Sequence, residues 1–425
     1  MIPFNSPDRL LFAAFLVLLA IATTVRVWLA LRHIRHVAAH SQRVPEAFDG
    51  QISIDAHRKA ADYTVAKTRF GISEILLGTA VVLLFTVGGL LQWLSEAWAT
   101  VVEPDGYAYG IFLILSVAVI SGLLEIPFSL YRTFVIEVRF GFNRTTLAVY
   151  FGDLIKQTAL GAALGVPLLL GVLWLMARMG DLWWLWVWGA WMAFNLLVLT
   201  LYPTLIAPLF NRFSPLENPE LRDGIDALLE RCGFRSRGLF VMDGSRRSSH
   251  GNAYFTGFGA GRRIVLFDTL ISRLERREIE AVLAHELGHF ARRHILKRIA
   301  MLFSASLLLL GILGMVIDQP WFFSAFGVQS SSTAMALLLF LMVIPVFTFP
   351  FQPLASLYSR RHEYEADAYA AAHADARDLV HALVKLYRDN ASTLTPDPLH
   401  SAFHDSHPPA SLRVERLLAL PARQA

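Results

Sequence analysis

The chain has 425 residues, 55% of them hydrophobic and only 17% charged, with a mean hydropathy of +0.47. A soluble chain carries about a quarter charged residues, so the apolar excess must face something other than water. A net charge of +4 without blocks of like charge or aromatic-basic interleaving excludes a nucleic-acid surface, and a single cysteine, Cys232, excludes an intramolecular disulfide and a Cys-based zinc site.

Seven apolar runs, near 10–31, 71–94, 107–131, 158–178, 183–209, 298–317 and 332–354, are each about 20 residues or more, the length that crosses ~30 Å of hydrocarbon. In the first, Ala20-Ile21-Ala22 resembles a signal-peptide processing site, but apolar sequence continues to Leu31 and the segment reads as a retained span. In the third, Glu125 is a functional candidate, with a pair to Arg132 as the favoured alternative. In the fifth, Trp183, Trp184, Trp186 and Trp188 read as an interfacial belt, and Asn195 as a chamber-lining group or a bond between helices.

Loop charge sets the topology. Segment 32–70 carries seven Lys/Arg, and loop 132–157 carries Arg132, Arg139, Arg144 and Lys156. Loops 95–106 and 318–331 carry none. The N-terminus is therefore expected outside, with loops one, three and five and the C-terminal tail in the cytoplasm. Four stretches follow: 1–209 with spans one to five, 210–297 as a catalytic segment, 298–354 with spans six and seven, and 355–425 as a second polar segment. The two polar segments are too short to be comfortable domains alone and are expected to pack together. Within the first of them, Pro219–Gly233 reads as a helix, Leu239–Met242 and Arg263–Phe267 as short strands, and Glu275–His294 as a helix that can run on into the sixth span.

That last helix contains His285-Glu286-Leu287-Gly288-His289. Histidines four apart share a helix face and can share one metal ion, and a glutamate between them can reach a water on it. Zn2+, one per chain, is the expected cofactor, and it needs a third protein ligand. The run Arg361-His-Glu-Tyr-Glu-Ala-Asp367 offers one: Glu363 and Asp367 share a helix face, either one able to coordinate while the other orients a histidine, and Glu365 lies off that face. A metzincin pattern fails at Arg292 and Ile295, which leaves His294 as a structural or outer-sphere residue.

At this point the chain resembles the type I CAAX prenyl endopeptidases, integral-membrane zinc metalloproteases. The matching runs are Tyr131-Arg-Thr-Phe-Val-Ile-Glu, Gly141-Phe-Asn, Tyr202-Pro-Thr-Leu-Ile-Ala-Pro, Gly244-Ser-Arg-Arg-Ser-Ser-His-Gly-Asn-Ala-Tyr-Phe, the His-Glu-Leu-Gly-His helix, Glu363-Tyr-Glu-Ala-Asp367 and Ser406-His-Pro-Pro, in order over roughly 70 to 420. The resemblance implies a mainly α, polytopic fold: seven transmembrane helices around an intramembrane chamber, with a small α+β metalloprotease region on the cytoplasmic face. It implies zinc on His285, His289 and Glu363, Glu286 as catalytic base, and Asp367 outside the ligand sphere. Asn252, Ala253 and Tyr254 would hold the substrate backbone by strand pairing, with His407 and Arg413 stabilising the tetrahedral intermediate.

The implied substrate is a peptide or protein, prenylated at its C-terminus if the family specificity holds, and the implied surroundings are a lipid bilayer. The outward loops carry no large insertion, and the tail Leu420-Pro-Ala-Arg-Gln-Ala shows no retention signal of the dilysine or Lys-Asp-Glu-Leu type. The chain thus resembles a compact member of the family. The membrane is the cell inner membrane for a bacterial source, where prenylation is generally lacking, and the endoplasmic reticulum for a eukaryotic one. A broad-specificity quality-control protease with the same chemistry is the alternative. A zinc-stabilised seven-helix transporter or receptor is a third reading, disfavoured because a structural site needs no base such as Glu286. The oligomeric state is left open.

Overall fold

The computed structural model describes residues 6–104, 106–256 and 263–420; the tail motif beyond Leu420 lies outside them. Seven helices are long and apolar enough to cross a membrane: Pro7–Ala39, Ile54–Phe85, Tyr107–Phe140, Leu147–Arg178, Gly180–Phe210, His294–Val316 and Thr333–His373. The second differs from the expected 71–94. Its helix stops at Phe85, the chain turns through Thr86–Gly89 with Gly89 at φ +76°, and Leu90–Ala99 starts a separate short helix. The apolar run had fused two elements, and the span takes its length from the polar side instead, starting at the Ser53 cap, whose side chain accepts from the Ala56 N–H. The third and fifth spans each contain a five-residue π-helical turn, Arg132–Ile136 and Tyr202–Ile206. Pro127 and Pro203 remove helix donors at or just before these turns, which local widening of the helix accommodates.

Each span touches the next, and the seventh touches the first, so the seven form a closed ring. Buried apolar side chains gather at its two ends. At one end Phe15, Phe85, Leu91, Leu113, Leu313 and Phe326 close the ring with the short loops, and Ser95 bonds both Tyr109 and Ser330 at 2.6 Å. Between the ends most spans bury little, only 6% of the most apolar window of the second and fifth; the seventh is the exception at 56%, packing on the third and fourth as well as the first.

The other end gathers the charged loops. Tyr63, in the polar first turns of the second span, donates to Glu137 at 2.6 Å, Arg247 forks onto Asp153 at 2.8 and 3.0 Å, and Arg32 forks onto Asp397 at 3.0 and 2.9 Å. Here sits a four-stranded sheet of order β1-β2-β4-β3, made of Phe213–Pro215, Leu239–Met242, Ala253–Thr256 (β3) and Arg263–Phe267 (β4). β2 and β4 run parallel, while β1 and β3 are antiparallel edge strands. Around it pack α1 (Pro219–Arg231), α2 (Arg276–Ala291), α3 (Gln352–His373, the polar end of the seventh span), α4 (Ala376–Asp389), α5 (Pro398–His404) and α6 (Ala410–Leu418). One core joins both polar segments: Ile225, Leu228, Ile264, Leu266, Leu283 and Leu287 pack with Ala370, Leu379, Val384, Val414 and Leu417, and with Phe48 and Ile52 of loop one.

Several expectations change. Arg132 pairs with Glu74 of the second span, leaving Glu125 exposed without an ion-pair partner among the described residues. Asn195 bonds the Trp191 carbonyl of its own helix at 2.7 Å, not another span. The tryptophans are not a belt: Trp183 is buried, Trp188 donates to the Phe303 carbonyl at 2.9 Å and Trp184 lies on Gly311 and Gly314, so only Trp186 of the four faces outward. Nor does α2 run into the sixth span. It ends at Ala291, and Arg293, at φ +56°, turns the chain before His294.

Candidate metal centre and active site

α2 begins on a capping box, with Glu275 and Glu278 each accepting the other's backbone N–H. Its next turns present His285 and His289 to α3. The two helices approach closely because residue 288 is glycine: a Cβ there would stand 2.9 Å from the Ala366 Cα and 3.1 Å from its carbonyl oxygen. This contact brings Glu363 between the histidines. Its Oε2 is 3.4 Å from His285 Nε2 and its Oε1 is 3.5 Å from His289 Nε2, and the two Nε2 atoms are 3.3 Å apart. The three ligand atoms all lie within 4.8 Å of one another.

Proton placement follows from the partners. His285 Nδ1 is 2.8 Å from Asp367 Oδ1, and a carboxylate only accepts, so Nδ1 carries a proton and Nε2 is the atom left to bind a cation. Asp367 is in turn gripped by Arg413, whose Nε and Nη2 donate to its two oxygens at 2.9 and 2.6 Å. A second chain runs from His289, whose Nδ1 is 3.0 Å from His294 Nδ1, while His294 Nε2 is 3.0 Å from Glu365 Oε2. Glu365 accepts, so His294 Nε2 carries a proton, its Nδ1 accepts from His289 Nδ1–H, and His289 Nε2 is left bare. His362 stacks on His294 with centroids 4.0 Å apart and fixes its ring plane.

Two imidazole Nε2 atoms and a carboxylate thus converge, and no donor reaches the buried Glu363 Oε2 in good hydrogen-bond geometry. A cation held among the three would satisfy that oxygen and both nitrogens. The electrostatics agree. Burial opposes charge on His285, but its hydrogen bonds to the Asp367 and Glu363 carboxylates outweigh it and raise its pKa to about 9, so that Nε2 holds a cation strongly, a proton where no metal is bound. Burial lowers His289 to about 3, so that ring is neutral. These donors fit a borderline divalent metal held by two nitrogens and an oxygen.

Glu286 makes no hydrogen bond among the described residues, and burial raises its pKa above the ordinary carboxylate range. His407 reaches over from the loop before α6, with Nε2 3.5 Å from Glu363 Oε2 and Nδ1 3.0 Å from Ser406 Oγ. Arg413 Nη1 lies 4.0 Å from the same Glu363 oxygen. The structure therefore brings together His285, Glu286, His289, Glu363, Asp367, His407 and Arg413. Asn252, Ala253 and Tyr254 stand apart. They begin the edge strand β3, which meets α2 through Phe255 and Phe290, with rings 5.5 Å apart, and Asn252 Oδ1 accepts from the Ala253 N–H at 2.8 Å. None of the three bonds a side chain of the metal cluster among the described residues. Among the described residues β3 pairs only with β4, and no strand is recorded on its other edge.

Glu365 lies off the face that carries Glu363 and Asp367, as expected, and meets His294, which follows the break at Arg292 and Arg293. A histidine five residues after His289 was the only sequence signal for this chain of bonds, and the break that brings it back is not written in any hydrophobic pattern.

Comparison with known proteins matches residues 33–212 to the CAAX prenyl protease N-terminal family model, with its five membrane helices, and residues 215–420 to peptidase family M48. The chain is 36% identical to the CAAX prenyl protease 1 homolog of Arabidopsis thaliana, covering 89% of this chain and 90% of that one. It is 33% identical to CAAX prenyl protease 1 of Saccharomyces cerevisiae, with 89% and 88% covered. The crystal structure of S. mikatae Ste24p superposes with a TM-score of 0.90 at 30% identity, covering 97% of this chain and 99% of that one. The fold, the ring of spans and the sequence all lead to one assignment: the chain belongs to peptidase family M48, among the CAAX prenyl proteases, and is a multi-pass membrane metalloprotease.

Proposed function

We propose that this protein is a zinc endopeptidase that removes the last three residues of prenylated CAAX proteins, with its site on the cytoplasmic side of the membrane. The observation that carries the reading is the convergence of His285, His289 and Glu363, each bare atom fixed by a partner outside the ligand set. The specificity rests on the relatives, several of which are named CAAX prenyl proteases. The orientation rests on the Lys/Arg of loops one and three, which lie at the same end of the ring as the site. The membrane is the endoplasmic reticulum in a eukaryote and the cell inner membrane in a bacterium. The four stretches 1–209, 210–297, 298–354 and 355–425 act as one catalytic unit on this reading.

His285, His289 and Glu363 would hold the ion. Bound there, zinc supplies Lewis acidity, lowering the pKa of a water and polarising the scissile carbonyl. The chain's own residues do the rest. Glu286, its pKa raised towards neutrality, takes the proton of the attacking water and passes it to the departing amine. His407, with Ser406 Oγ facing its Nδ1, presents Nε2–H to the developing oxyanion. Arg413 and Asp367 lock the His285 ring. The outer edge of β3 receives the substrate backbone beside α2, with Asn252 to Tyr254 as the pairing residues.

The test offers purified protein a prenylated CAAX peptide and an unmodified membrane-protein fragment and reads product masses. Release of the terminal tripeptide from the prenylated peptide supports the proposal. Cleavage of unprenylated fragments alone would replace it with the quality-control reading. Equal product release by wild type and Glu286→Gln would remove the metallopeptidase mechanism itself.

A further inference from the structure

Outside the metal centre, where α2 ends and the sixth span begins, lies a groove of about 940 Å³. Six cations line it: Arg292, Arg293, Lys297, Arg360, Arg361 and Arg416. The only carboxylate in its lining is Glu365, which Arg361 and Lys297 approach to 3.2 and 3.8 Å. Arg360 Nη1 donates to the carbonyls of Ser401, Ala402 and Asp405 at 3.1, 3.1 and 2.9 Å, and Arg416 lies 4.4 Å over the Tyr364 ring. These contacts orient the two side chains without cancelling their charge. Arg292 and Arg293 pair with no carboxylate among the described residues. Arg293 also holds a left-handed backbone at φ +56°, unusual for a bulky residue. Gathering like charges in one concavity costs energy that nothing inside the groove repays, and a concave array of guanidinium forks matches phosphate oxygens.

The groove's position narrows the ligand further. It is also lined by Leu357. Beside it in sequence stand Leu296, Phe351 and Leu354, all exposed (56%, 62% and 63%), where the apolar stretches of the sixth and seventh spans meet the polar end. Cations in the groove and exposed apolar side chains beside it, where the apolar stretches give way to polar sequence, are complementary to a molecule with an anionic head and an apolar tail. A topology signal needs the charges on this side of the membrane, but not in one hollow. We propose that this groove binds an anionic phospholipid, its headgroup phosphate among Arg292, Arg293, Arg360 and Arg416 and its acyl chains along Leu296, Leu354 and Leu357. The site is independent of the peptidase assignment.

The experiment titrates full-length protein in neutral detergent with fluorescent phosphatidylglycerol, and with fluorescent phosphatidylcholine as reference. Each cation near an anionic headgroup contributes about fivefold in affinity. Wild type is expected to prefer phosphatidylglycerol, and the variant Arg292→Gln/Arg293→Asn/Arg416→Gln to bind it roughly hundredfold more weakly. Asn is chosen at 293 because it tolerates the left-handed backbone. Arg235→Gln/Arg237→Gln, exposed beyond α1, should bind as wild type does. The unfolding temperature of each variant, expected near that of wild type, checks the fold. If the triple variant fails that check, the single exposed changes Arg292→Gln and Arg416→Gln carry the test, each with about a fivefold loss. Equal binding of the two lipids by wild type, or an unchanged preference in the variants, would overturn the proposal. So would displacement of the lipid by inorganic phosphate at equal concentration, which would make the groove a free-anion site, or by an acidic peptide, which would make it a protein-docking site.

Discussion

A carboxylate that can only accept fixes the proton on any imidazole facing it, and this protein uses that rule twice. Asp367 sets His285 directly, and Glu365 sets His289 through His294. Replacing Glu365 with Gln keeps the shape but supplies an N–H in place of an acceptor, so the tautomers of His294 and His289 are no longer fixed. Metal affinity should fall by about 10- to 100-fold, read by chelator competition, with activity largely recovered at saturating zinc. Unchanged affinity would show that Glu365 only serves Arg361 and Lys297. Glu286→Gln should behave oppositely: zinc content by emission spectrometry stays at wild-type level while kcat drops by about 10²- to 10⁴-fold, the range a general base supplies. The contrast separates groups that hold the ion from the group that moves the proton.

At the scale of elements the site is a contact between two helices, and residue 288 sets its spacing. In Gly288→Ala the new methyl meets the Ala366 Cα and carbonyl oxygen, both backbone atoms, so α2 and α3 must separate. The expected cost is about 1–3 kcal/mol, seen as a lower unfolding temperature together with weaker zinc binding. Ala366→Gly should not rescue it, because the clash is not with the Ala366 methyl; a rescue would show that the helices have another way to fit. This contact also marks the limit of reading the sequence. The His285–His289 and Glu363–Asp367 spacings are visible because a helix repeats every 3.6 residues, and β2 and β4 because apolar runs between polar turns are distinctive. The distance between α2 and α3 is not periodic and leaves no pattern. The turn at Thr86–Gly89 was hidden inside a continuous apolar run, and the reversal at Arg293 uses a residue type with no preference for it. Glu365 lies off the ligand face as expected, but its pairing with His294 left no signal, since that partner is set by the reversal.

At the scale of the whole molecule, the catalytic end is not a domain set on a membrane anchor. Its core mixes residues from loop one, from 216–287 and from 370–417, and its last segment is tied to the first span. Asp397 is the knot. Its oxygens accept from Arg32 Nε at 3.0 and 2.9 Å, its Oδ1 also caps α5 through the His400 N–H at 2.9 Å, and its own N–H donates to His33 Nδ1 at 3.2 Å. The His33 and His400 rings stack beside it at 4.1 Å. α5 leads within three residues to His407, so the position of that imidazole over the metal centre depends on span one. Asp397→Ala should cost about 1 kcal/mol for the lost cap, and little more for the ion pair, because Arg32 is half exposed and solvent screens it. The sharper consequence is functional. His285, His289 and Glu363 sit on α2 and α3, which Asp397 does not touch, so zinc affinity should stay near wild type. With α5 loosened, His407 loses its fixed place, and kcat should fall about tenfold or more through the lost oxyanion donor. Chelator competition and steady-state kinetics on one preparation separate the two effects. Parallel loss of zinc and activity would mean that the first span supports the whole centre rather than the His407 segment alone.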